Sequence, residues 1–300
     1  MRERPRAAYC VHARAEVWWK ALWLTEPMTS QRFLRIALPA LLVPAALAVL
    51  LPTEAGAWYA KMAQPGLLFA NSLLSLWVAL MYRAALRRAF LFLSAFLLSY
   101  GLVGTAPLIE QMREALGDNF LTVVITWQVA TYLMLLLACV FILRAIGITT
   151  MGKWGIPVMG ITLLLAAGVV ANGMTFFFDL LEIDTKVAVL ILLIRIFDVL
   201  VMLMLVPVLL LYVEGARAKY QESATFAFVA MAIIASLVFV YLYELIKGQP
   251  IAQIAEAEYQ KGSLLDGLYI FMYLTIAVGL FAHRKHQQWS LRKLERNLLA

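Results

Sequence analysis

The chain has 300 residues, of which 64% are hydrophobic and only 14% charged, and its mean hydropathy is +0.85. Soluble domains carry about 25% charged residues, so these charges are too few to cover a globular surface, and the composition excludes a water-soluble protein. A net charge of +7 would suit nucleic acid in a soluble protein. Here the basic residues fall in short segments between apolar runs, so the expected partner is membrane lipid and no nucleic acid.

Residues 1–32 form a basic segment. Within it, "AEVWWKALWL" sets Trp18, Trp19, Leu22 and Trp23 beside Glu16 and Lys20, the pattern of a helix lying in the membrane interface. It lacks the apolar stretch and small-residue cleavage site of a secretory signal, and Met28 offers an alternative start.

Apolar runs long enough to cross a ~30 Å hydrocarbon core follow near 33–52, 65–82, 89–105, 120–144, 155–176, 187–212, 224–246 and 267–283. They predict an all-α, polytopic bundle of eight transmembrane helices over residues 33–283. Pro39, Pro44 and Pro207 each remove a backbone donor and are expected to kink the first and sixth spans.

Basic residues fix the orientation. With the N-terminus in the cytoplasm, the inner segments hold Arg2, Arg4, Arg6, Arg14, Lys20, Arg32, Arg35, Arg83, Arg87, Arg88, Arg144, Lys153, Arg217, Lys219, Arg284, Lys285, Arg292, Lys293 and Arg296. The outer loops hold only Lys61, Arg113, Lys186, Lys247 and Lys261. Nineteen against five is a strong positive-inside bias, and it places both termini in the cytoplasm.

Polar residues inside the spans gather towards the outer face. Asn71 lies in the outer part of the second span, Tyr100 in the third, Thr126 and Gln128 in the fourth, and Asn172 in the fifth. In the sixth, "LILLIRIFDVLVMLMLVPVLLLY" carries Arg195 and Asp198 three residues apart, neighbours on one helical face. At ~1.5 Å per residue, both sit in the outer-to-middle region. Tyr241 and Glu244 share a face near the outer end of the seventh span, and Asp266 and Tyr269 stand at the entrance of the eighth. The inner halves are apolar, as in Leu200 to Leu205 and Leu133 to Leu137, interrupted only by methionines in some places.

A charge at such depth costs several kcal/mol unless it is paired or meets water. Besides an ion or proton relay through Arg195 and Asp198, two arrangements satisfy that requirement. Arg195 and Asp198 neutralise each other, with Glu244 as a third member, and staple helices together. Alternatively, Asn71, Gln128, Asn172, Arg195, Asp198, Tyr241, Glu244, Asp266 and Tyr269 line a ligand cavity in the outer half, closed below by Met202 and Leu205. Arg195 would favour a small anionic or amphiphilic ligand there. Two outer loops, "APLIEQMREALGDN" and "KGQPIAQIAEAEYQKGSLL", space apolar residues as short helices over that outer mouth.

No cofactor, metal or catalytic constellation is expected. His12, His283 and His286 lie outside the spans or at an inner boundary, so no intramembrane histidine pair is available for haem. Cys10 and Cys139 suggest neither a disulfide nor a metal site. There is no glycine loop with its phosphate-binding lysine and no serine–histidine pattern.

Two stretches resemble known families. "WYAKMAQPGLLFANSLLSLWVALMY", with Trp58, Tyr59, Pro65, Trp77 and Tyr82, resembles the first loop and second helix of the tryptophan-rich sensory (translocator) protein family. That resemblance implies a porphyrin or sterol-like ligand. The family's following Pro-Pro is missing here, and its members have five spans.

"LVPVLLLYVEG", "VYLYELIKG" and "SLLDGLYIFMYLTIAVGLFAHRK" together resemble the multi-helix sensor regions that precede histidine kinase or diguanylate cyclase domains in bacteria. Asp266, Tyr269, Tyr273 and Arg284 fit the acidic-aromatic entrance and basic exit of the last helix in that group. The resemblance implies a bacterial inner-membrane sensor acting in signal transduction. No output domain of that kind occurs through Ala300, so a separate partner is expected to carry the signal.

Residues 284–300, "RKHQQWSLRKLERNLLA", repeat Trp289, Leu294 and Leu298 among basic residues. They read as a juxtamembrane helix that either anchors on anionic lipid or docks a cytoplasmic signalling partner. The leading expectation is a ligand-responsive, receptor-like membrane module. The alternatives are a small-molecule transporter and a non-catalytic subunit of a larger membrane complex.

Overall fold

The computed structural model describes residues 30–51, 53–82, 84–105, 114–146, 155–181, 184–215, 224–247 and 265–281. Among these residues there is no strand, and eight long helices follow the predicted runs. They are α1 (Ser30–Leu50), α2 (Thr53–Ala79), α3 (Ala84–Thr105), α4 (Phe120–Ile146), α5 (Gly155–Leu181), α6 (Thr185–Gly215), α7 (Ala224–Lys247) and α8 (Leu265–Phe281). Five of them, α2 to α6, are long and apolar enough to cross a membrane, while α1, α7 and α8 contribute shorter apolar stretches. The chain divides into two compact units, residues up to Ala40 and residues from Leu41 onwards. The site lies entirely in the second.

The largest difference from the sequence reading is at α2. Its helix begins at Thr53, well before the predicted start at residue 65, and runs through Pro65. Proline removes one backbone donor, but packing holds the helix on both sides of it. Ala60 and Leu68 are buried, and Gln64 Nε2 donates to Asp266 Oδ1 of α8 at 2.6 Å. Helix α6 likewise continues through Pro207 for 31 residues. The interfacial helix of residues 1–29, the loop helices at 106–113 and 248–264, and the juxtamembrane helix lie outside the described residues. Beyond 106–113, residues 114–116 are helical, and a 3-10 turn at Gly117–Asn119, with Gly117 at φ +49°, leads into α4.

Within the second unit, α2 packs on α3, α3 on α4, α4 on α6, α6 on α5, and α6 on α7. The buried core draws on α2 to α8, from Leu68 and Phe90 through Leu135 and Met202 to Ile233 and Ile276. Lipid tails are as apolar as leucine, so helices in a bilayer associate through close packing and interhelical hydrogen bonds. Both devices occur here. Ser72 Oγ and Ser94 Oγ donate to each other's backbone carbonyl at 2.9 Å, and Ser75 Oγ donates to the Phe90 carbonyl at 2.9 Å. At Gly267, an added Cβ would lie 2.8 Å from Val49 Cγ2 and 2.9 Å from the Ala45 carbonyl oxygen. Only glycine lets α8 come that close to the second half of α1.

Candidate ligand-binding site

Helices α2, α3, α4, α6, α7 and α8 line a partly open cavity of about 230 Å³. Helix α6 presents Ile191, Ile194, Arg195 and Asp198 to it, and α7 presents Ile233, Ser236, Leu237, Val240 and Glu244. Both sets follow the three- and four-residue spacing of a single helical face. Charge, polarity and aromatic rings are thus delivered to one place by regular helices.

Arg195, Asp198 and Glu244 are 8%, 3% and 0% exposed. Arg195 Nη2 donates to Glu244 Oε1 across the α6–α7 contact. Its Nη1 lies 4.0 Å from Asp198 Oδ2, and its guanidinium carbon sits 4.9 Å from the centre of the Tyr241 ring. The Tyr241 hydroxyl donates to Asp198 Oδ2 at 2.7 Å. Asp198 Oδ1 is buried and has no hydrogen-bond partner among the described residues. From the other side, Gly173 of α5 faces the stem of Arg195, where an added Cβ would lie 3.3 Å from Cγ. The arginine is therefore held by a carboxylate, an aromatic face and a glycine-floored groove.

Aromatic rings form much of the remaining wall. Phe96 and Tyr100 of α3 stack with centroids 5.5 Å apart, and Tyr269 and Tyr273 of α8 stack at 6.0 Å. All four line the cavity, as does Tyr132 of α4. Tyr100 and Tyr132 are near enough to Asp198 to interact with its charge. A polar clasp fixes α3 against α4 beside these tyrosines. Trp127 Nε1 donates to Ser99 Oγ at 2.9 Å, and Ser99 Oγ is 2.6 Å from Thr131 Oγ1.

One end of the cavity is apolar, and the other mixes the polar groups Gln128, Arg195 and Glu244 with Ile125, Ile191 and Ile194. Along α4 the lining passes from Gln128 through Tyr132 to Leu135, and along α8 from Tyr269 through Tyr273 to Ile276. Along α7 the order reverses, from Ile233 to Glu244, as expected for a helix running the opposite way. Leu97, Leu135, Ile233 and Ile276 form the apolar end.

Of the nine residues predicted from sequence, Gln128, Arg195, Asp198, Glu244 and Tyr269 line this cavity. Tyr241 stands behind it as a partner of both Arg195 and Asp198. Asn71 is buried and donates from Nδ2 to the Tyr273 carbonyl at 2.7 Å, bracing α8 without reaching the cavity. Asp266 is engaged by Gln64, and Asn172 is half-buried on α5; neither lines it. Met202 and Leu205 are buried in the core and are not part of its apolar end. Ser236 and Tyr132 were missed, although their four-residue steps to Val240 and Gln128 mark the shared faces. Gln64 was missed because Pro65 made its surroundings read as a loop.

Among the described residues, no group of three or more histidines, cysteines, aspartates and glutamates is placed to hold a metal. No family model, curated protein or solved structure matches the chain. The functional reading accordingly stands on the geometry of the cavity.

Proposed function

We propose that the chain is a multi-pass protein of the bacterial inner membrane, with eight spans and cytoplasmic termini, that responds to a small molecule bound in this cavity. The observation that carries the reading is the cavity itself: buried Arg195, Asp198 and Glu244, with Gln128 and Ser236, border a space whose remaining walls are apolar and aromatic. A few convergent polar groups in an apolar pocket orient a ligand. A site of about 230 Å³ falls below the ~300–1,000 Å³ of drug-sized pockets, so the occupant is metabolite-sized. In the positive-inside orientation, the end with Gln128, Arg195 and Glu244 faces outwards and the wholly apolar end inwards. That arrangement favours a receptor-like module over a transporter, which needs a polar route to both sides. The response would pass to a cytoplasmic partner through residues 284–300.

Charge-neutral thiol labelling tests this reading. In a background with Cys10 and Cys139 replaced, Ser236→Cys should react with methyl methanethiosulfonate in purified protein held in lipid nanodiscs. In intact cells, an impermeant maleimide should leave Ser290→Cys unlabelled until the membrane is permeabilised. An unreactive Ser236→Cys would remove the accessible cavity, and external labelling of Ser290→Cys would reverse the orientation.

A further inference from the structure

Three arginines gather at one end of the α3–α4 pair, away from the cavity. Arg87 and Arg88 lie at the start of α3, and Arg144 lies in the last turn of α4. All three are exposed. Phe92 and Phe141 stack across the seam between the two helices, with ring centroids 5.5 Å apart. The Arg88 guanidinium carbon rests 5.6 Å from the centre of that same Phe141 ring. Arg144 is three residues further along α4, a neighbour of Phe141 on the helix surface. Two guanidinium groups therefore flank one aromatic contact.

Nothing in the two helices offsets them. Neither α3 nor α4 contains an aspartate or glutamate, and none of the three arginines forms an ion pair with a described residue. At α3 the backbone adds to the imbalance. A helix N-terminus carries partial positive charge, which repels cations and attracts anions. The residues before it, Leu80 to Arg83, offer no short side-chain oxygen to cap its first amides. The positive-inside rule accounts for arginines on this side of the membrane. It does not account for their placement at a helix start and around one ring, where an anion relieves both.

The surface beside the arginines shows which anion fits. Leu91, Ala95 and Leu98 continue the row of Arg88 along α3, and Val140, Leu137 and Leu133 continue that of Arg144 along α4. Each row advances by three or four residues, as one helical face does, and every member is exposed. A free phosphate gains nothing from such rows. The acyl chains of a phospholipid do.

Resting on the transmembrane reading, we infer that this end of the α3–α4 seam binds an anionic phospholipid. Its phosphate sits between Arg88 and Arg144, and its acyl chains lie along Leu91, Leu98, Leu137 and Val140. Phe141 holds Arg88 in place, and Arg87 adds charge beside the headgroup.

The test is native mass spectrometry of the full-length protein in detergent micelles, with dioleoyl phosphatidylglycerol as the probe. Dioleoyl phosphatidylethanolamine supplies the same chains without the net charge. One phosphatidylglycerol should be retained about tenfold more tightly, and inorganic phosphate should not displace it. Arg88→Gln/Arg144→Gln should erase the difference between the lipids. Lys61→Gln/Lys186→Gln, which removes the same charge elsewhere on the bundle, should not. Phe141→Leu keeps every charge and should still weaken retention.

Equal retention of the two lipids by the parent protein would overturn the inference. Equal losses in the arginine and lysine variants would overturn it too, by reducing the effect to overall surface charge. Displacement by inorganic phosphate would assign the arginines to a free anion instead. Carbonate washing of cell membranes tests the premise separately: release of the protein would remove the transmembrane reading, whereas a retained protein without lipid preference would refute this site alone.

Discussion

Replacing Arg195 with leucine is expected to destabilise the protein by about 3–5 kcal/mol, the cost of removing one partner from a buried ion pair. The substitution leaves Glu244, which is fully buried, without its guanidinium, and it removes the cation from the Tyr241 ring. Asp198→Asn should cost far less. Its Oδ2 accepts from Tyr241, a bond the amide oxygen can keep. In Arg195→Leu/Glu244→Leu, both members of the pair are gone, so much of the loss should return. Denaturation in detergent and thermal melting in nanodiscs read all three variants. Equal and negligible shifts for Arg195→Leu and Asp198→Asn would mean that these side chains meet water or headgroups rather than each other.

Gly267→Ala should produce the second large loss, about 1–3 kcal/mol, the usual range for overpacking. One new contact is the Ala45 carbonyl oxygen at 2.9 Å, a backbone atom that cannot turn aside as a side chain can. The other is Val49 Cγ2 at 2.8 Å. Helix α8 must therefore move away from α1, and Tyr269 and Tyr273 move with it. Gly168→Ala supplies the control, since an added Cβ there meets nothing within 4 Å. Alanine is the better helix former by about 1 kcal/mol, so that change should be neutral or stabilising. Comparable losses at both positions would show that α8 does not approach α1 closely.

The helices and much of the site were legible in the sequence for one reason. A charged or amide side chain inside an apolar run has few places to go, and its depth follows from the rise of the helix. This brings Gln128, Arg195, Asp198 and Glu244 into a common layer on sequence alone. Depth does not specify direction around the helix axis. Asn172 lies near the right level, yet its α5 neighbour Gly173, not Asn172, faces Arg195. Asn71 likewise points to the Tyr273 carbonyl.

Choice of partner was also hidden. Pairing Arg195 with Glu244 rather than Asp198 depends on how α6 meets α7, which no spacing within one helix encodes. Pro65 obscured α2 for a different reason: the helix penalty of proline is local, whereas the packing that outweighs it is tertiary.

The central claim is that the polar cluster faces open space rather than a filled core, and paired insertions of bulk measure this most directly. Ser236 borders the cavity, and its hydroxyl donates to the Ala232 carbonyl one turn earlier in the same helix. Ala232 is fully buried in the core. Ser236→Phe should fill the cavity and melt within about 1 kcal/mol of the parent, whereas Ala232→Phe should lose about 1–3 kcal/mol or more through overpacking. Equal, severe losses for the two phenylalanines would contradict the account, because they would mean that the space beside Asp198 is already occupied by the protein itself.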